Sequence, residues 1–220
     1  MLIGENKETT IIDGRGNKVI QTIYSGECNI SNFTIINGTY GLYIKSHYTN
    51  IFDNIIVNNT YGISIVDYNR IKIFNNYITG EKWGIVVSSF TVSIYHNNFN
   101  NCGIKIHGVG HEIYENQIKD AETAIVLDEC KNTKITRNNI INENENLVKF
   151  KNFNKYFANN WNHNYWSDWK YPFPPYIITP PRIIEGTVIL WDPLSNVPRK
   201  EKEWINFDWF PARKPFDLHL

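Results

Sequence analysis

The feature that most constrains this chain is a short motif that returns about every 21 residues. Ile-x-x-Asn-x-Ile occurs at residues 51–56, 73–78, 113–118 and 135–140, and residues 94–99 match it with Phe99 in the last place. Its asparagines stand at 54, 76, 97, 116 and 138, with Asn159 the expected next member and Phe33 in the same place one step earlier. A second motif follows in most copies: Gly41-Leu42-Tyr43-Ile44, Gly62-Ile63-Ser64-Ile65, Gly84-Ile85-Val86-Val87, Gly103-Ile104-Lys105-Ile106 and Ala124-Ile125-Val126-Leu127. Each repeat therefore holds at least two short strands with alternating apolar residues.

A unit of this size cannot bury its own apolar face, so neighbouring units must stack to make a core. No Leu-x-x-Leu-x-Leu pattern and no helix-length amphipathic stretch occurs within it, which rules out a leucine-rich horseshoe and leaves an all-β right-handed parallel β-helix. Stacked at strand spacing of about 4.8 Å, roughly seven coils make a rod about 30 Å long. Ile at equivalent positions forms internal ladders, and Asn at equivalent turns bonds to its copies above and below. The recurring Asn is thus expected to be structural.

Abundant Ile with abundant Asn fits strands joined by turns, not a helical bundle or a disordered tail. Lys plus Arg and Asp plus Glu each number 22. With no net field, neither a nucleic acid nor an anionic membrane surface is an expected partner. No run of about 20 apolar residues is present, so direct membrane insertion is not expected, and the opening residues lack the layout of a signal peptide. Cys28, Cys102 and Cys130 show no CxxC spacing and read as small core residues.

From Trp161 the repeat gives way to Trp, Tyr and Pro, with Pro172, Pro174, Pro175, Pro180 and Pro181 opposing ladder pairing and residues 183–184 and 187–190 reading as short strands. We read residues 1–160 as parallel β-helix repeats and 161–220 as a capping extension. Such a cap is needed because a β-helix otherwise ends in an open layer of unpaired backbone and exposed Ile.

The opening Leu2-Ile3-Gly4 with Thr10-Ile11-Ile12-Asp13-Gly14, the repeated coils and the closing Asn164-Tyr165-Trp166-Ser167-Asp168 resemble the NosD-like or CASH-type β-helix repeat proteins. The tail segments 180–186 and 204–212 are similar to the endings of such proteins from archaea. This resemblance implies an exported, extracellular or cell-surface protein. It does not by itself define an activity, since similar repeats serve polysaccharide lyases, epimerases, adhesins and a periplasmic accessory of copper-enzyme maturation.

Aligning the coils places Phe52, Phe74, Tyr95, Tyr114, Thr136 and Phe157 in one column turned away from the Ile ladder. Phe52, Phe74, Tyr95 and Tyr114 are the candidate glycan-binding residues, because aromatic faces stack on sugar rings. The competing expectation is that the tryptophan-rich extension lies over this stripe. The next column reads Asp53, Asn75, His96, Glu115 and Arg137. Of these, His96, Glu115, Arg137 and Asp53 are the candidate catalytic groups, because elimination from a uronate needs a base and a cation, and hydrolysis needs two carboxyl groups about 5–9.5 Å apart. Asp53 and Glu115 lie three coils apart, about 14 Å, and the charges read as spread along the rod and not paired.

His96, His107 and His111 are the candidate metal ligands, with exposed turn histidines as the plainer reading. No cofactor is expected. Asn29, Asn32, Asn37 and Asn58 begin Asn-x-Ser/Thr sequons, which fit export. The leading expectation is a non-catalytic exported or surface module whose partner is a polysaccharide or cell-surface glycan. A polysaccharide-active lyase, hydrolase or epimerase is the alternative, and a structural or metal-handling envelope protein is the third reading.

Overall fold

A computed structural model describes residues 1–23, 26–142, 148–152, 159–169, 181–191 and 198–220. Among them every regular element is a strand, and every pairing is parallel except the one between the last two strands. The chain winds through three strand positions per turn, giving three faces. The first face stacks eight strands, from Leu2–Ile3 through Cys28–Ser31, Thr49–Phe52, Ile71–Phe74, Val92–Tyr95, Glu112–Tyr114 and Lys134–Thr136 to Asn160–Asn162. The second begins with Ile11–Asp13 and ends with Tyr165–Trp166, and the third begins with Lys18–Gln21 and reaches Val148–Asn152. This is the parallel β-helix that the repeat predicts.

Strand alternation sends every second residue inward. Ile30, Ile51, Ile73, Ile94, Ile113 and Ile135 stack in one inner column and Ile35, Ile56, Ile78, Phe99, Ile118 and Ile140 in another, almost all fully buried. Trp161 and Trp166 continue these two columns in the last coil, opposite Ile135 and Ile140, and are 1 % exposed. The parallel stack therefore runs on to Trp166, and both tryptophans are core residues of the rod. Cys102 is buried just before Gly103–Val109 and Cys130 within Ile125–Lys131, and their thiols donate to Ile78 O and Ile106 O; burial pushes both pKa values up to about 12.

The corner between the first and second faces has one construction throughout. Its first residue adopts left-handed backbone, at Asn32, Asp53, Asn75, His96, Glu115, Arg137 and His163, with φ between 52° and 62°. The following residue is Phe33 at the first of these corners and the ladder Asn at the other six, with its side chain turned inward. Each ladder carboxamide oxygen accepts from the backbone N and the Nδ2 of the Asn one coil before, at 3.0–3.1 Å from Asn54 to Asn164. Each Nδ2 also reaches an Ile carbonyl of the preceding coil, as Asn76 does with Ile51 O at 3.0 Å. Burying an amide is tolerated because its hydrogen-bonding groups are matched.

The expected sixth member is corrected. Asn164 and not Asn159 follows Asn138, because this step of the ladder spans 26 residues; Asn159 sits one strand earlier and accepts from Thr133 N at 3.0 Å. Arg182–Trp191 adds in parallel to Val148–Asn152, and Pro198–Asp208 returns antiparallel to it. Asp208 ends the ladder: its Oδ2 accepts from Asn164 N, Asn164 Nδ2 and Trp166 Nε1 at 2.9–3.0 Å. Of the prolines noted in the tail, 172, 174, 175 and 180 lie outside the described residues.

Candidate functional site

In-register parallel strands hold equivalent side chains one coil apart, and four of the outward positions on the first face are aromatic. Phe52, Phe74, Tyr95 and Tyr114 stack with centroids 5.0, 5.0 and 4.9 Å apart and planes inclined by 4°, 5° and 4°. Thr136 and then Asn162 continue the column; Phe157, expected there, lies outside the described residues. All four rings are half-buried. Because near-parallel rings one coil apart cover one another's faces, a ligand meets their edges, and face-on stacking of one sugar per ring is not available. Burial raises the phenol pKa of Tyr95 and of Tyr114, and for Tyr114 the neighbouring Tyr95, Glu112 and Glu115 add to the shift.

The polar column beside the rings is the left-handed corner itself, and three of its members do meet. His96 Nε2 donates to Glu115 Oε2 at 2.8 Å, and Arg137 Nε lies 3.1 Å from Glu115 Oε1. This corrects the expectation of dispersed charges: long side chains on adjacent coils bridge the 4.8 Å step, which backbone spacing alone did not reveal. Asp53 remains two coils from His96 and three from Glu115. Glu115 thus has both oxygens engaged, one by an imidazole and one by a guanidinium. The Tyr95 and His96 rings also meet in a T-shaped contact, with centroids 5.5 Å apart.

A cleft of about 440 Å³ opens on the far side of this corner, lined by Asp53, Asn75 and His96 together with Tyr77, Asn98 and the chain end Leu218–Leu220. Of the extension, residues 170–180 and 192–197 lie outside the described residues, and its last stretch does not lie over the four rings. Ala212 N donates to Asn164 O at 2.9 Å, and Phe216 pairs with Asn139, so the last residues follow the second face, across the corner from the four rings.

The histidines separate. His96 is at the corner with its side chain 42 % exposed, His107 is exposed at the end of Gly103–Val109, and His111 is fully buried. His111 fills the inner column between Val92 and Thr133, and its Nδ1 accepts from Val92 N at 3.3 Å. Burial lowers its pKa to about 4, so it is neutral near pH 7 with the proton on Nε2. Gly108 and Gly110, both at positive φ, make the turn that brings His111 inside; a Cβ on Gly108 would lie 1.7 Å from Ser89 O. Among the described residues no group of three His, Cys, Asp or Glu side chains converges as a metal site. Sequence reasoning missed Asn139, Asp208 and the chain end, whose roles are fixed by contacts far away in sequence.

A right-handed β-helix family model matches residues 17–164, about two thirds of the chain, and the chain belongs to that family. No curated protein and no solved structure matches it.

Proposed function

We propose that this chain is a non-catalytic exported or cell-surface module that binds an extended glycan along its first face. The observation that carries the reading is the four-ring ladder, about 15 Å long, flanked by two polar columns. On one side stand Asn50, Lys72, Ser93, Glu112 and Lys134, and on the other Asp53, Asn75, His96, Glu115 and Arg137. An extended polysaccharide repeats at a spacing close to one coil, so hydroxyls on successive sugars meet equivalent polar groups while their apolar edges lie against the rings. Glu115 is held between two cations or donors, and Asp53 lies too far from it to form a hydrolytic pair, which favours binding over turnover.

The test is affinity electrophoresis in gels containing plant, algal and microbial polysaccharides. The parent is expected to be retarded by at least one of them, and Tyr95→Ala with Tyr114→Ala to lose that retardation while keeping the far-ultraviolet circular dichroism of the parent. Unchanged retardation of the double variant sinks the proposed face. The His96–Glu115 contact is the one observation that favours the enzymatic alternative, and depolymerisation lost in His96→Ala would replace binding by catalysis.

A further inference from the structure

The last nine residues double back along the rod. After Asp208 closes the Asn ladder, Ala212 bridges to Tyr165 in the last coil, Phe216 lies one coil earlier at Asn139, and Leu218–Leu220 reach the coils of His96, Asn75 and Asp53. Asn139 is 1 % exposed, yet its side chain faces the tail, donating from Nδ2 to Phe216 O and accepting from Phe216 N, both at 2.8 Å. This is the pattern that a neighbouring strand offers, and it recognises backbone regardless of side chain. Apolar residues alternate along the segment, and Phe216 and Leu218 are half-buried while Asp217 and His219 between them have side chains more than 80 % exposed. The Phe216 ring also lies 5.6 Å from the guanidinium of Arg137, the residue that pairs with Glu115.

Phe216–Leu220 is anchored by the bidentate Asn139 amide, the half-buried Phe216 and Leu218 and the Phe216–Arg137 contact, and a segment so lightly held belongs to the low-stability end of a fold. We propose that the second-face groove read by Asn139 docks an extended segment with apolar residues at alternate positions, that Phe216–Leu220 is its resident occupant, and that release of this strap opens the Asp53–His96 cleft. The inference does not rest on glycan binding. Docked, the strap forms one wall of the cleft beside Asp53 and the His96 side chain, which is 42 % exposed; released, it removes that wall and frees the Phe216 side of Arg137.

The experiment uses the full-length protein, a Phe216→Asp/Leu218→Asp variant that disfavours docking, and a fluorescein-labelled peptide of residues 213–220. In anisotropy titrations the variant, its own strap released, is expected to bind the peptide at least tenfold more tightly than the parent. Adding Asn139→Ala should remove that gain. Equal affinity of parent and variant overturns the groove. Modification of His96 by diethyl pyrocarbonate, located by mass spectrometry, is expected to be at least threefold faster in the variant, and an unchanged rate overturns the gate. Asn139→Ala alone leaves both apolar anchors in place and provides the second variant: it should raise the His96 rate in the same direction, and no rise counts equally against the proposal.

Discussion

His111 shows how a single side chain couples this fold to pH. The folded protein holds the imidazole neutral until about pH 4, whereas the unfolded chain protonates it near 6.5. Because the folded value is the lower one, the unfolded state binds more protons between these limits, so the stability is present above pH 6.5 and is lost as pH falls toward 4. The loss amounts to about 3 kcal/mol at most. The neighbouring His107 side chain also opposes protonation electrostatically, and the backbone groups of Ser89 and His107 favour it less strongly than burial disfavours it. Melting temperatures of the parent should fall between pH 7 and pH 5 more steeply than those of His111→Gln, which keeps an acceptor for Val92 N but does not titrate. Parallel curves for the two proteins would mean that His111 is not buried as described. The two deeply buried thiols belong to the same scale: with pKa values near 12 they are protonated and shielded.

At the scale of the repeated element, the corner sets two opposed effects against each other. A left-handed non-glycine residue costs about 1 kcal/mol or more, and it recurs in seven coils. In six of them the ladder Asn that follows offsets it by satisfying backbone groups of its own coil and the one before. Asn97 is bonded to Asn76, Asn116, Ile73 O and Tyr95 O. Replacing it by Ala leaves several buried partners unmatched, and we expect a loss on the order of 3 kcal/mol. Asn98 is its immediate neighbour but faces outward and half-buried, so Asn98→Ala should cost less than about 0.5 kcal/mol. Urea titrations of the two variants read this directly, and equal costs would refute the inward ladder. The aromatic column is a second element of the same kind, built by one outward position per coil, and stacking makes it continuous while removing the ring faces from use.

At the scale of the molecule, the two ends differ. The first coil leaves Leu2, Ile3 and Ile11 between 41 % and 57 % exposed, whereas the last coil is covered by the Arg182–Trp191 and Pro198–Asp208 hairpin. Asp208 makes the cover specific, since it matches two ladder donors and an indole that would otherwise face an open end. Removing residues 181–220 should expose those donors together with Trp161 and Trp166, and the product should self-associate in size-exclusion chromatography with light scattering. A monomer of parent stability would assign the hairpin another purpose.

The rod, its inner columns and its ladder from Asn54 to Asn138 were legible in the sequence because they depend on two local periods, alternation within a strand and recurrence from coil to coil. The same logic identified the aromatic column, since in-register stacking preserves position. Only the tertiary structure decided the end of the ladder, because the last step of 26 residues breaks the period and moves the member from Asn159 to Asn164. It also decided that His111 turns inward on its glycine-bent corner, that Glu115 draws His96 and Arg137 together, and that the chain end returns to Asn139. These depend on side-chain reach and on contacts as much as 77 residues apart, which no local pattern encodes.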